Sequence, residues 1–139
     1  MTIRPIRSIG WRTVVSGGSV QLISAESSKP TTETSACWIA VTNNGRFAYT
    51  TNAASGTITG YAVQNGGLTR LNADGVTGNI GAGSAPTEMA LSRDSKYLYA
   101  FSGATHRIAA FSVGSDGSLT PLPNWVGGLP NGANGLAAR

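Results

Sequence analysis

Residues 37–71 read CWIAVTNNGRFAYTTNAASGTITGYAVQNGGLTRL, and residues 87–122 repeat the pattern as TEMALSRDSKYLYAFSGATHRIAAFSVGSDGSLTPL. Shifted by fifty positions, Ala40 falls on Ala90, Tyr49 on Tyr99, Ile58 on Ile108, Val63 on Val113 and Gly67 on Gly117. One residue enters after that glycine, so Leu71 meets Leu122. Conservative pairs fill the gaps: Ile39 with Met89, Val41 with Leu91, Arg46 with Lys96, Phe47 with Tyr97 and Tyr61 with Phe111. A repeat of this length is a supersecondary unit that cannot bury its own faces and stacks on copies of itself.

Each copy resolves into four short strands, A to D. In the first they are expected at 38–42, 46–52, 57–63 and 68–71, with turns at Asn43-Asn44-Gly45, Ala53 to Gly56 and Asn65-Gly66-Gly67. These turn residues tolerate positive φ. In the second copy the strands are expected at 88–92, 96–102, 107–113 and 119–122. Strand B alternates aromatics, with Phe47 and Tyr49 in one copy and Tyr97, Tyr99 and Phe101 in the other, while Gly60, Ala62, Ala109 and Ala110 crowd strand C. Apolar or small residues on both faces mean that each sheet is covered on both sides. The expected fold class is all-β: a partial β-propeller with two complete four-stranded antiparallel blades and fragments of flanking blades.

Those fragments lie at the chain ends. Residues 9–14 and 16–23 run without a gap against 108–113 and 115–122, although Arg12 takes the place of Phe111. Residues 135–138 match 38–41 and 88–91. The expected organisation is therefore residues 1–36 as strands C and D of a blade plus a linker, 37–86 and 87–134 as blades, and 135–139 as the inner strand of a following blade. The linkers at 24–36, 72–86 and 123–134 are rich in Ser, Thr, Gly and Pro and run from outer strand D to the next inner strand A.

Composition narrows the functional classes. Of 139 residues, 40% are hydrophobic, only 12% are charged and 19 are glycine, which describes a buried, turn-rich chain. No apolar run approaches the roughly 20 residues of a membrane-spanning helix, so a soluble protein without membrane partners is expected. The net charge of +4 comes largely from Arg4, Arg7 and Arg12; without them seven basic residues face six acidic ones. A nucleic-acid binder carries a basic stripe through its folded part, and none is present. The first nineteen residues are Arg- and Ser-rich and free of acids but lack the apolar core of a secretory signal, so a cytoplasmic location is the default expectation.

The phrases CWIAVTNNGRFAYTTNAASGTITGY, APTEMALSRDSKYLY and NGANGLAA resemble the C-terminal part of the bacterial lactonase family of seven-bladed propellers, the 6-phosphogluconolactonase-like group. The resemblance runs from about Gly18 to Ala138. It implies hydrolysis of sugar-derived or cycloalkane-type lactones by charged residues around the mouth of the central channel. It also implies that the family's His- and Arg-containing motifs lie largely in earlier blades, with no matching positions here.

The residues themselves offer a candidate rim. In a blade the loop before strand A and the loop between B and C share one end of the ring, which gathers Cys37, Trp38, Ser55, Thr87, Glu88, His106 and Arg107 at one mouth. Glu88 and His106 are the candidate catalytic pair for activating a water, with the plain alternative of a solvated acid and a turn histidine. They start strands two apart, about 9 to 10 Å in backbone separation, so a water or substrate must bridge them. Trp38, Arg107 and Thr87 are the candidate substrate-binding residues: the indole for stacking on a sugar-like ring, the guanidinium for an acidic substituent. Cys37 reads as a small buried thiol.

No metal and no other cofactor is expected: one His and one Cys assemble no zinc set, Asp74, Asp94 and Asp116 stand apart, and the glycines at 78–83 have the wrong spacing for a dinucleotide loop. Two functions follow as expectations, a lactone hydrolase at the channel mouth or a non-catalytic binding or self-assembly module. The expected partners are a second copy of the chain, by blade-flank packing as a homo-oligomer, and a small lactone or sugar-derived ligand.

Overall fold

A computed structural model describes residues 28–65, 67–123 and 125–139, together with the backbone of three short strands nearer the N-terminus. Those three are β1 (Ser8–Ile9), β2 (Arg12–Val15) and β3 (Ser19–Leu22). Then follow β4 (Lys29–Pro30), β5 (Ala36–Val41), β6 (Phe47–Asn52), β7 (Thr57–Gln64) and β8 (Gly67–Arg70). The remainder are β9 (Gly78–Asn79), β10 (Pro86–Leu91), β11 (Tyr97–Ser102), β12 (Arg107–Val113) and β13 (Leu119–Pro121).

Strands β5-β6-β7-β8 and β10-β11-β12-β13 form the two expected antiparallel blades, so the fold is an open, all-β piece of a propeller. The A–B turns repeat one device. In the first blade Thr42 Oγ1 donates to Asn44 Oδ1 and accepts from Phe47 N–H, and Arg46 N–H donates to the same Asn44 oxygen. In the second, Ser92, Asp94, Tyr97 and Lys96 take those four parts. These side chains supply partners that a ladder would otherwise provide, which ends the strands a residue or so short of the expected limits.

One feature was not expected: the linker leaving strand D is itself a strand. β9 pairs with the start of β7 through Ile58↔Gly78, and Val126 bridges Ile108 at the same place in the second blade. The N-terminal segment follows the same plan, since β2 pairs with β3 while β1 pairs with β4. Residues 1–7, 10–11, 16–18 and 23–27 lie outside the described residues, as do Gly66 in the expected C–D turn and Asn124 in the last linker.

The core sits between the two blades. Phe47, Tyr49 and Ile58 from the first meet Met89, Leu98, Ala100, Ala109, Phe111 and Leu119 from the second. Each of the larger of these side chains removed from water contributes roughly 1.5–3 kcal/mol. At the outer edge of this seam the Tyr49 hydroxyl donates to the Gly117 carbonyl over 2.9 Å. Gly117 lies at φ +85°, and a Cβ there would come within 2.5 Å of the Phe47 ring, so the seam requires glycine.

The inner strands β5 and β10 pack side by side. The expected inner strand at 135–139 is not a strand; Gly135 nevertheless donates its N–H to Glu88 on β10. No helix among the described residues is long and apolar enough to cross a membrane.

Candidate functional site

Both inner strands carry a β-bulge at the same point. The register slips between Ala36 and Ile39 in β5 and between Pro86 and Glu88 in β10, so Cys37-Trp38 and Thr87-Glu88 are the irregular pairs. In β5 the bulge is held by the Trp38 N–H donating to Thr51 Oγ1 and by Thr50 Oγ1 donating to the Trp38 carbonyl. A bulge re-aims the side chains it contains, and here it does so at the start of each inner strand.

The candidate residues therefore take distinct positions. Trp38 is 48% exposed, an indole face open to a ligand. Glu88, at the equivalent position of the next blade, is only 9% exposed, and its Oε1 accepts the Gly135 N–H at 2.9 Å. It is a walled carboxylate with one oxygen engaged, not the solvated rim acid of the plain reading. Thr87 joins the two inner strands, its carbonyl lying 3.6 Å from the Cys37 thiol that donates to it. Cys37 itself is exposed, not buried, because it belongs to the bulge that turns outward.

His106 stands at φ +51°, in the left-handed region, where the first blade has Gly56 at φ +71°. Its backbone carbonyl accepts the Leu129 N–H at 3.2 Å, and its buried Nδ1 has no hydrogen-bond partner. Arg107 is exposed and its stem lies over Gly127 of the outgoing linker, with no ion pair among the described residues. The rim thus brings Thr87 to Cys37 and Glu88 to Gly135, but no hydrogen bond joins Glu88 to His106. A bridging water or substrate is still needed between them.

Sequence reasoning missed a polar network at the same end of the first blade. Thr57 Oγ1 donates to Glu33 Oε2 at 2.8 Å, and the buried Asn52 amide donates to Thr57 and Thr59 at 3.1 and 2.9 Å. Thr59 Oγ1 passes on to the Gly75 carbonyl at 2.7 Å, and Thr34 and Ser55 bond beside it. Asn52 Oδ1 is left without a partner. The visible signal was the alternation Thr50, Asn52 and Thr57, Thr59, which puts polar side chains on one face of two adjacent strands. No group of three His, Cys, Asp or Glu among the described residues is placed to hold a metal ion.

Three comparisons bear on this geometry. The family model described as "Lactonase, 7-bladed beta-propeller" matches residues 17–131. No curated protein matches the chain by sequence. Among solved structures, a candidate 6-phosphogluconolactonase from Bacteroides uniformis is similar with a TM-score of 0.71 at 16% identity, over 86% of this chain and 36% of that one. A protein of unknown function from Desulfotomaculum acetoxidans gives 0.69 at 20% identity, over 84% and 34%. The periplasmic gluconolactonase of Pseudomonas aeruginosa gives 0.68 at 17% identity, over 91% and 37%. This chain spans about a third of the length of those structures. At such identities the likeness establishes the fold, and the family model establishes kinship over more than half of the residues. The chain belongs to the lactonase family of seven-bladed β-propellers.

Proposed function

We propose that these blades form part of the channel mouth of a propeller that hydrolyses a sugar-derived lactone. The observation that most supports this reading is Glu88, a carboxylate on the inner strand of a lactonase-family propeller, walled from bulk water and placed at the bulge position equivalent to Trp38. In this reading the lactone ring stacks on Trp38, and Arg107 holds an acidic substituent. The free oxygen of Glu88 takes a proton from a water as its oxygen attacks the lactone carbonyl carbon. The ring C–O bond then breaks, and His106 returns a proton to the departing oxygen, leaving the open hydroxy acid. Thr87 fixes the local backbone through its contact with Cys37.

The test is proton release on adding glucono-lactone, followed in a pH-stat. Glu88→Gln is expected to cut turnover about 10²–10⁴-fold, as for loss of a general base, and His106→Asn to cut it by a similar order. Unchanged turnover in both variants overturns the reading. A second reading, a self-assembly module, is supported by the exposure of Tyr97 and Val126 on the outer flank of the second blade.

A further inference from the structure

We propose that the groove between the two A–B turns, at the end of the seam opposite the β5 and β10 bulges, binds a small tetrahedral oxyanion of the phosphate or sulfate class. It shares no residue with the candidate rim, and both of its walls lie within the two complete blades.

The groove holds about 400 Å³, within the range of small-molecule sites. One wall is the first A–B turn, from Thr42 to Phe47; the other is the second, from Asp94 to Lys96, with the C–D turn at Ser115 beside it. The two turns are clamped together. Asn43 donates its backbone N–H to Ser95 Oγ at 2.9 Å and its side-chain amide to the Arg93 carbonyl. Ser95 sits at φ +56°, where the first blade has Gly45 at φ +67°. A serine held in the left-handed region carries backbone strain, and here the strained residue lines the groove.

The hydrogen-bonding groups identify the ligand. Apart from the Ser115 hydroxyl, every side-chain acceptor on the two turns is engaged. Asn44 Oδ1 accepts from Thr42 Oγ1 and Arg46 N–H, Asp94 Oδ1 from Ser92 Oγ and Lys96 N–H, and Ser95 Oγ from Asn43 N–H. Asp94 Oδ2 lies 3.3 Å from Lys96 Nζ. The bonds from Ser92 and from the Lys96 N–H hold the Asp94 carboxyl below the usual range, so it stays charged and occupied.

What remains are donors. Because those bonds fix Asn44 Oδ1, the Asn44 Nδ2 hydrogens are free, and Lys96 Nζ has hydrogens beyond the one aimed at Asp94. The Arg46 guanidinium rests 5.4 Å over the Phe47 ring and has no ion pair among the described residues. The repeat shows why this charge is left over. Asp94 answers Lys96 in the second turn, but its counterpart in the first is the neutral Asn44. A ligand that meets free donors and two cations against one engaged carboxylate is an acceptor with no proton of its own. Arginine beside lysine and a hydroxyl suits the several oxygens of a tetrahedral anion.

The test is a titration of the full chain with inorganic phosphate, exchanged for chloride at constant ionic strength so that general screening is held fixed. Amide shifts in NMR are expected to saturate and to centre on residues 42–47, 94–96 and 113–115, with sulfate competing and acetate binding at least about tenfold more weakly. Arg46→Gln, on an exposed turn, is expected to keep the β-sheet circular dichroism signal and to weaken phosphate binding about tenfold, the loss of a charge-assisted hydrogen bond. Arg107→Gln at the rim is expected to leave it unchanged. Shifts that grow without saturating, or phosphate binding that survives Arg46→Gln, overturn the proposal. Binding lost in Arg107→Gln moves the anion to the rim and overturns it as well, and acetate binding as tightly as phosphate overturns the tetrahedral class. Neither Glu88 nor His106 takes part, so lactone turnover can succeed or fail without bearing on this result.

Discussion

Strand β6 is buried along all six of its residues, whereas its counterpart β11 leaves Tyr97 41% exposed, although the two strands carry the same aromatic alternation. The residues are matched; the neighbours are not. β6 is covered on its outer flank by the second blade, while on the same flank of β11 the described residues place the tail. In a stacked-repeat protein a strand's burial depends on its place in the stack, so strands of like pattern carry unequal energetic weight.

The largest expected effect tests that inequality. Phe111 is fully buried between the blades and stacks at a tilt on Trp125, with centroids 6.0 Å apart; Phe111→Ala should cost about 3–5 kcal/mol of unfolding free energy in a urea titration. Tyr97→Ala, on the open flank, should change it by less than about 0.5 kcal/mol in the monomeric state. Equal losses at the two sites would mean that the flank is already covered.

A smaller effect sharpens the comparison at the B–C turn. A Cβ on Gly56 would lie 2.0 Å from the Gly81 carbonyl, and the residue sits at φ +71°, so Gly56→Ala should cost about 2–4 kcal/mol in the same titration. The equivalent His106 endures the same left-handed backbone with a side chain in place. His106→Gly should therefore raise stability by about 0.5–1 kcal/mol, the relief of strain less the added entropy of glycine in the unfolded chain. Taken with the turnover loss expected of His106→Asn, a stabilised but inactive glycine variant would mark this strain as serving the site.

A further effect is alkaline. Burial pushes the Tyr61 hydroxyl up to about 12, with Arg70 pulling the other way, and burial with Asp116 beside it holds Tyr49 higher still. Both phenols ionise near 10 in the unfolded chain, so the folded state is the one that keeps the proton. Their contribution is fully present below about pH 10 and is lost as pH rises from there through about 12. The urea midpoint should fall across that window, and Tyr61→Phe should flatten the fall. Its counterpart in the second blade, Phe111, has no proton to lose.

The blades, their strand order and the strand limits to within two residues were legible because alternation and repetition are properties of side chains, which a sequence displays. Three features were not. The pairing of Gly78-Asn79 with β7 is made by backbone atoms of two residues with no strand pattern. The bulge that exposes Cys37 and Trp38 depends on Thr51 reaching across from the next strand. The burial of Glu88 depends on a backbone N–H of Gly135, forty-seven residues away, and a backbone donor leaves no mark in the amino-acid code. The rim residues could be gathered to one end from connectivity alone; which of them touch could not.

The linker that turns back along strand C has a consequence for how the chain is made. By hydrogen bonding, residues 72–80 belong to the blade they are leaving, so a blade needs nothing from the next one to finish its own sheet. Its contacts span fewer than about fifty residues, a short loop to close for an all-β fold. Synthesis from the N-terminus therefore delivers one sheet after another, each a ready surface on which the next condenses.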